Sequence, residues 1–291
     1  MKDNFRILIG TLFSGENEIR ECTDSIKEQT YLEWDHKIFS YLPNKKAHDT
    51  LYRFFMNKAE DFDIFLKVDA DMVFMHKYCL SYIVDLFKNN SDSDHFQIAI
   101  LDWYSNSFII GLHAYRSSVK WVLNKENIFV DTPPKGDNKR IDIWLKTNPL
   151  VIHNPNPSCF QAYRFGVHRA LKVLQPKLFF FKKSQFYSQL ELLHKVWGNF
   201  LVKDDRRIGF ASLGAYSVFN QLVTHEMYDC TNHHLKDLFK ERYEHLTSEE
   251  LKKLLHTFWS NKNETNRFLT KKVFLKKNVF SKLKFLRAII K

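Results

Sequence analysis

The chain has 291 residues, of which 44% are hydrophobic and 15% aromatic, a composition that supports a large core and argues against disorder. With 8 glycines and 7 prolines, collagen-like and low-complexity chains are excluded. No stretch approaches the roughly 18 uninterrupted apolar residues of a membrane-spanning helix. The formal net charge is +11, and nine of the 44 lysines and arginines follow Asn266 with no acidic residue among them, so the remainder is nearly neutral.

The first third of the chain alternates between strand and helix. In chain order, hydrophobic spacing predicts a strand over Phe5–Thr11, a helix over Glu18–Gln29, a strand over Asp35–Leu42, a helix over Ala47–Asn57 and a strand over Asp63–Val68. This alternation is the βαβ pattern of a doubly wound sheet. Ligands of such sheets bind outside the carboxyl ends of the strands, where residues 11–16 and 69–71 fall.

The later parts of the chain change character. We expect further strands over Phe96–Asp102, Phe108–Ala114 and Leu150–His153, with a short helix over Ile141–Lys146. After about Pro176 the pattern is helical, with segments at Ser188–Val202, Ile208–Val223, Leu235–Tyr243 and Ser248–Trp259. These patterns predict an α/β domain over residues 1–175, a helical extension over 176–266 and a basic tail over 267–291.

The cysteines and the N-terminus indicate a reducing compartment. No C-x-x-C pair occurs among the four cysteines, which predicts free thiols at Cys22, Cys79, Cys159 and Cys230. The apolar run Ile7–Phe13 follows Asp3 and precedes no small-residue cleavage site. We interpret it as a strand rather than a signal peptide, and expect the chain in the cytosol.

Two carboxylates one residue apart follow the third predicted strand. Asp69 and Asp71 flank Ala70, directly after the apolar segment Ile64–Val68. A buried strand would present both carboxylates on a rigid edge, where they could reach one divalent cation directly or through water. Mg²⁺ and Mn²⁺ are usually held by carboxylates together with substrate phosphates. The pattern therefore predicts a metal site, although acidic turn residues after a strand are the plainer alternative.

At these residues the sequence resembles the nucleotide-sugar-dependent glycosyltransferases of the GT-A fold, in particular the large family-2-like group. The resemblance is carried by the Ser14–Glu18 turn, the Ser25–Tyr31 helix end, the second strand and Phe65–Met72. It covers about the first 75 residues and continues more weakly to about residue 175. Where the family usually has Asp-Asp-Gly-Ser after the second strand, this chain has Ser40–Asn44.

The resemblance implies a fold and an activity. The fold is α/β, a Rossmann-like GT-A, mostly parallel sheet with helices on both faces, followed here by the helical C-terminal extension. The activity is that of a metal-dependent hexosyltransferase, in which Mn²⁺ or Mg²⁺ on Asp69 and Asp71 neutralises the diphosphate leaving group. Thr11 and Glu16 fall where the family's first turn contacts nucleotide and ribose, and Asp69 serves both donor and metal.

The resemblance also implies residues farther along the chain. The third metal ligand would be His153, which ends a predicted strand, with His168 as its rival. Arg164 suits the donor pyrophosphate or an anionic acceptor. If the reaction inverts the anomeric centre, a carboxylate must take the acceptor proton. Asp142 is the first candidate for that base and Asp131 the second.

The basic tail reads as an amphipathic helix. Its apolar residues fall on one helical stripe flanked by lysines: Phe268, Leu275, Val279, Leu283, Leu286 and Ile290. This pattern is typical of an interfacial membrane anchor. A terminal helix packed on the body and a partner-binding helix are the alternatives. The tail suits a lipid-linked acceptor, and predicts attachment to the inner face of the cell membrane without nucleic-acid binding.

These patterns together predict transfer of a sugar from a nucleotide-sugar to a saccharide or lipid-linked glycan, in bacterial surface polysaccharide or lipopolysaccharide synthesis. A sugar nucleotidyltransferase of the same fold would normally show a Gly-rich basic loop after the first strand, which Leu12–Glu16 lacks. A non-catalytic basic module that binds membrane or nucleic acid through its tail is the alternative from another class. The dinucleotide-binding, P-loop and α/β-hydrolase motifs do not occur.

Overall fold

The computed structural model describes residues 4–122, 134–135, 139–174, 182–224, 226–228 and 233–271. The chain divides into two compact units. The first runs to Gln161 and includes His233, and the second begins at Ala162. The division therefore falls at Gln161, inside a helix, rather than near the predicted boundary at residue 175.

The first unit contains an eight-stranded mixed sheet. Its strands are β1 Ile7–Phe13, β2 Trp34–Ser40, β3 Ile64–Lys67, β4 Met72–Phe74, β5 His95–Asp102, β6 Ser107–Arg116, β9 Arg140–Ile143 and β10 Val151–His153. Along the main path their order is β2-β1-β3-β6-β5-β10-β4, with β9 paired to β5. Four of the seven strand pairs are parallel: β1 with β2 and β3, and β5 with β9 and β10. A separate two-stranded ladder joins β7 Lys120–Trp121 to β8 Pro134–Lys135.

Helices cover both faces of the sheet. On one face α1 (Ile19–Lys27) and α3 (Cys79–Asn89) bury Ile26 and Ile83 with the side chains of β1, β3 and β5. On the other face α2 (Asn44–Asn57) packs Leu51 and Phe55 onto the alternate residues of β1 and β3. Two-sided burial explains why these strands are apolar at successive positions. The predicted fold class is therefore confirmed in its sheet, its two helical faces and its helical extension.

The helical extension follows the predicted pattern. Its helices, with α4 leading into them, are α4 Cys159–Leu174, α5 Lys182–Lys203, α6 Arg206–Phe219, α7 His234–Arg242, α8 Ser248–Trp259 and α9 Lys262–Thr270. Helix α8 has the predicted bounds because a capping box fixes its start, with Thr247 and Glu250 satisfying each other's backbone amides. Across the described residues, no helix is long and apolar enough to cross a membrane.

The short helix predicted over Ile141–Lys146 is wrong. Residues 140–143 alternate polar and apolar side chains and form strand β9, which pairs in parallel with β5. Ile141 and Ile143 pack against the core, while Asp142 is exposed. A period of two is a strand pattern, and it decides the local structure here. As predicted, Cys22 and Cys79 are free thiols.

Candidate active site

The Asp69–Asp71 segment is a tight turn at the carboxyl end of a buried strand. All four residues of β3 are buried, and Met72 donates its backbone N–H to the Asp69 carbonyl at 2.9 Å. Ala70 between the carboxylates is fully buried and donates to the Leu12 carbonyl at 3.2 Å. The turn is therefore tied to β1, and both carboxylates lie at the sheet edge where ligands bind in open α/β sheets.

His153 reaches the same edge from the far end of the chain. Strand β10 runs antiparallel to β4 with His153 opposite Met72, and Asn154 donates its backbone N–H to the Asp71 carbonyl at 2.7 Å. This pairing places His153 Nε2 3.4 Å from Asp71 Oδ2. Asn154 follows in the left-handed region at φ 53°, which asparagine tolerates better than most residues.

Asp102, which the sequence reading missed, orients the His153 ring. It ends β5 beside His153 of β10, is fully buried, and its Oδ1 lies 2.8 Å from His153 Nδ1. Its Oδ2 accepts the backbone N–H of Ser105 at 2.8 Å and the Ser105 hydroxyl at 2.5 Å. A carboxylate such as Asp102 behind one ring nitrogen is the usual second partner of a metal-binding histidine. The other ring nitrogen, Nε2, faces Asn154 Nδ2 at 2.7 Å and Asp71 Oδ2 at 3.4 Å.

Opposite charges set the ionisation of this cluster. Burial lowers the pKa of His153, but the carboxylates of Asp71 and Asp102 outweigh burial and raise it to about 9. Burial raises the pKa of Asp71, but the His153 charge and the hydrogen bonds from His153 and Asn154 lower it overall. At neutral pH the cluster therefore holds two carboxylates around one imidazolium.

A polar network joins this cluster to the turn after β1. Asn154 Nδ2 lies 3.2 Å from Asp71 Oδ2, and Asn154 Oδ1 accepts a hydrogen bond from Gln161 Nε2 at 2.7 Å. The same Gln161 nitrogen donates to Glu18 Oε2 at 2.7 Å, and Gln161 Oε1 accepts from the Asn17 backbone at 2.9 Å. Glu18 is fully buried, and burial raises its pKa to about 7.

The donor set fits a divalent cation held mainly by Asp71 and His153. Among the described residues Asp71 Oδ1 is a buried oxygen without a hydrogen-bond partner, while Oδ2 faces the His153 ring. Carboxylate and imidazole are suitable ligands for Mn²⁺, and carboxylate with phosphate for Mg²⁺. Within the described ranges, no group of three or more His, Cys, Asp or Glu side chains is arranged to hold a metal. Asp69 instead accepts a bond from Lys67 Nζ at 2.8 Å.

Of the predicted nucleotide contacts, Glu16 lies at the edge of the sheet and Thr11 lies in its interior. Glu16 lies in the turn after β1, where its carboxylate accepts hydrogen bonds from the Ser14 backbone at 2.6 Å and from the Ser14 hydroxyl. Thr11 is fully buried within β1, and its hydroxyl lies 2.9 Å from His36 Nε2. Burial lowers the pKa of His36 to about 4, so its ring is neutral beside Thr11.

The predicted catalytic base is not brought to this cluster. Asp142 lies on β9 opposite Gln97, five residues before Asp102 on the parallel strand β5. About 16 Å of strand separates the two positions at roughly 3.3 Å per residue. Asp142 is exposed and pairs with Arg140 at 3.2 Å. Asp131, the second candidate, lies outside the described residues, so both assignments stay predictions.

Two further predicted residues belong to the second unit. Arg164 on α4 places its guanidinium 5.2 Å from the centre of the Tyr228 ring. His168, the rival third ligand, has its ring 5.3 Å from the same tyrosine. His153 is the histidine that the fold of the first unit places beside Asp71.

An aromatic pair at the carboxyl ends of β1 and β2 was missed from the sequence. Tyr41 adopts φ 54°, donates its backbone N–H to Phe13 at 2.8 Å, and is 63% exposed. Its ring meets Phe13 edge to face at 5.1 Å, and beside it Gly15 takes φ 106°. The only available signal was a tyrosine directly after a predicted strand, in the segment that departs from the family pattern.

No protein-family model and no curated protein sequence matches the chain. Solved structures do match. The mannosyltransferase PcManGT from Pyrobaculum calidifontis, in complex with GDP-Man and Mn²⁺, aligns at 11% identity and a TM-score of 0.39, covering 94% of this chain and 88% of that one.

Two more solved structures align less well. S. aureus TarS 1–349 in complex with UDP-GlcNAc aligns at 13% identity and a TM-score of 0.34, covering 77% of this chain and 82% of that one. A197 from STIV aligns at 13% identity and a TM-score of 0.30, with 38% of this chain and 64% of that one covered. Similarity this low does not indicate an activity. Any activity has to be inferred from the side chains described above.

Proposed function

We propose that the protein is a divalent-cation-dependent glycosyltransferase of the hexosyltransferase type, which moves a sugar from a nucleotide-sugar to a saccharide or lipid-linked glycan. One observation carries the proposal. At the ligand-binding edge of an α/β sheet, Asp71 has a buried Oδ1 without a hydrogen-bond partner among the described residues, and its Oδ2 lies 3.4 Å from His153 Nε2. A carboxylate and an imidazole so placed suit a cation that binds together with a diphosphate.

Asp71 and His153 would hold Mn²⁺ or Mg²⁺, with Asp69 adjacent. When bound, the cation supplies Lewis-acid neutralisation of the diphosphate that leaves as the sugar bond breaks. The chain's own residues prepare the site. Asp102 fixes the ring of His153, and Asn154 fixes the carboxylate of Asp71, so neither side chain has to reorganise when the donor arrives.

The donor would lie along the carboxyl edge from β3 toward β2. The exposed ring of Tyr41 offers a stacking surface for a nucleotide base, and Glu16 offers carboxylate oxygens to ribose hydroxyls. Stacking of a base on an aromatic ring contributes about 1–3 kcal/mol in single-stranded nucleic-acid complexes. Strands are roughly 4.8 Å apart, so Tyr41 at the end of β2 lies about two strand spacings from Asp69.

We further propose a lipid-linked acceptor, met by a protein peripherally attached to the inner face of a bacterial cell membrane, in surface polysaccharide or lipopolysaccharide synthesis. The support is the concentration of basic charge in residues 267–291. Positions 272–291 of this tail lie outside the described residues.

The test is thermal unfolding with Mn²⁺ and a panel of UDP, GDP, CMP and dTDP compounds. A ligand at about 100 times its Kd adds roughly 2.7 kcal/mol to the free energy of unfolding, which raises Tm by several degrees. We expect a Mn²⁺-dependent rise with one nucleotide class, and loss of that rise in Asp71→Asn. Asp85 is an exposed carboxylate on α3, so Asp85→Asn is the matched control and should behave as wild type. A folded protein that responds to no nucleotide contradicts the proposal.

A further inference from the structure

Lys67 is a charged residue inside a strand that is otherwise wholly apolar. It ends β3 after Ile64, Phe65 and Leu66, and only 2% of its surface is exposed. A buried ammonium is unfavourable unless a counter-charge and hydrogen bonds compensate for the lost water. The structure supplies that partner two residues later on the same side of the chain, where Lys67 Nζ lies 2.8 Å from Asp69 Oδ2.

The Lys67 ammonium holds one of the two carboxylates of the turn directly. Asp69, whose side chain is 34% exposed, is bonded to it at the sheet edge. A cation seated on Asp69 Oδ2 would be strongly repelled by an ammonium already bonded to that oxygen. The oxygens of Asp71 lie beyond this direct bond.

We infer that Lys67 is a positioning residue of the donor site, an inference that rests on the proposed function. Its ammonium is bonded to Asp69 and thereby leaves Asp71 and His153 as the ligands of the divalent cation. It also places a permanent positive charge beside the diphosphate. The site therefore combines a fixed cation from the chain with an exchangeable one from solution. The Lys67 charge acts in opposite directions on the two ligands of the site, because it repels Mn²⁺ and attracts the diphosphate.

Calorimetric titration of Lys67→Met tests the inference with two probes, Mn²⁺ alone and UDP or GDP at saturating Mn²⁺. Removing the ammonium should tighten Mn²⁺ binding by about tenfold and weaken nucleoside diphosphate binding by about tenfold. Lys67→Arg, which keeps the charge, should leave both affinities within about threefold of wild type. Lys67→Gln keeps a donor for Asp69 without the charge, and replaces Lys67→Met if the latter does not fold.

Opposite changes in the affinities for Mn²⁺ and for the nucleoside diphosphate distinguish a positioning role of Lys67 from damage to the fold. A disturbed strand would weaken both ligands together, and an irrelevant lysine would change neither, so either result overturns the role of Lys67. Wild-type protein that binds no Mn²⁺ with either nucleotide overturns the proposed function and the inference together. If the wild-type protein binds both ligands, and Lys67→Met and Lys67→Gln each lose affinity for both, the inference is overturned while the proposed function stands.

Discussion

The carboxylates of Asp71 and Asp102 favour the protonated ring of His153, and a cation binding at its ring nitrogen must displace that proton. The flanking charges raise its pKa to about 9 from the ordinary 6.5, so the ring is protonated in metal-free protein at neutral pH. Metal binding requires the neutral ring. We therefore expect about one proton to be released for each Mn²⁺ bound at pH 7, and the affinity to rise about tenfold per pH unit until the pH nears 9.

Calorimetry in two buffers of different ionisation enthalpy measures the released proton directly. His153→Gln, which offers an amide in place of the imidazole, should lower the affinity and abolish the release. His256, an exposed histidine on α8, provides the control substitution His256→Gln. If wild-type protein binds Mn²⁺ without releasing a proton, the cation does not displace a proton from His153 and the prediction is wrong.

Residues differ in how far the sequence reveals them. Asp69 and Asp71 follow a predicted strand and His153 ends one, and the rule that such ends meet at one edge is sufficient to bring Asp71 and His153 together. Asp102 ends a predicted strand too, so the same rule could have found it. Lys67 also carried a signal, because a lysine within a buried strand requires a partner.

Other members of the site carried no such signal. Glu18 and Gln161 are 143 positions apart in the chain and meet only because α4 begins beside the turn after β1. Neither lies at a strand end, and a glutamine that opens a helix is ordinary. Their role emerges only once tertiary packing has buried Glu18 and placed Gln161 against it, and no local pattern encodes that.

At the scale of elements, Gln161 joins the start of α4 to two loops of the sheet edge. It donates to Glu18 and Asn154 and accepts from the Asn17 backbone. In Gln161→Met the buried side chains of Glu18 and Asn154 lose this partner, and each buried unsatisfied group costs about 1–3 kcal/mol. We expect the free energy of unfolding to fall by roughly 2–4 kcal/mol, together with weaker Mn²⁺ binding.

Urea unfolding and Mn²⁺ titration of the same samples check this prediction. Ser158→Ala is the matched control, since it removes only the exposed bond from the Gln161 backbone to the Ser158 hydroxyl. That change should cost about 1 kcal/mol or less and leave Mn²⁺ affinity unchanged. Equal effects of the two substitutions would show that Gln161 merely caps the helix.

A second element-scale prediction concerns the crossing of α4 and α6. A Cβ on Gly166 would lie 1.8 Å from the Ala211 carbonyl oxygen, and one on Gly214 would lie 2.0 Å from the Tyr163 carbonyl oxygen. These atoms belong to the two backbones and cannot rotate away. Gly166→Ala must therefore separate the helices, and we expect a loss of roughly 2–3 kcal/mol or more in the free energy of unfolding.

Gly198 offers the matched control on α5. A Cβ there meets nothing within 4 Å, so Gly198→Ala only removes the flexibility of glycine from an exposed helical position. It should stabilise the protein by roughly 0.5–1 kcal/mol. Chemical denaturation of both variants gives the comparison, and a Gly166→Ala protein as stable as wild type would refute the close helix crossing.

Element boundaries were predicted well where one periodicity dominated. The amphipathic patterns of α2 and α8 and the apolar runs of β1, β3 and β5 were placed within a few residues. The segment of β9 was predicted wrongly, although Ile141 and Ile143 are two positions apart and share a face in a strand but not in a helix. Strands shorter than five residues depend on their neighbours, which a single sequence does not show.

At the scale of the whole molecule, charge is distributed unevenly along the chain. Residues 1–266 hold 35 basic and 33 acidic side chains, whereas residues 267–291 hold nine basic and none acidic. Charge in a folded body is largely compensated locally, as in the ion pairs of Lys262 with Glu191 and Lys252 with Asp204. An uncompensated segment of this density attracts an anionic surface, and each basic residue near such a lipid surface contributes about 1 kcal/mol.

Deleting residues 272–291 should abolish sedimentation with anionic vesicles. The cut removes seven basic residues and leaves α9, whose buried Thr265 and Leu269 precede it. Nucleotide-dependent stabilisation should persist, because Asp71, His153 and Asp102 lie within the first unit. Binding of the full chain should weaken as salt rises, since screening reduces the attraction between exposed charges and lipid headgroups.

A variant with Leu283→Ser and Leu286→Ser keeps every charge but interrupts the apolar stripe of the tail. If the tail enters the interface as an amphipathic helix, this variant should bind anionic vesicles more weakly than wild type and be released at lower salt. If the variant binds vesicles as well as wild type does, the tail is a polybasic segment that is held at the membrane by charge alone. Vesicle binding by the protein without residues 272–291 would instead place the membrane contact on the folded body, and remove the support that the tail gives to a lipid-linked acceptor.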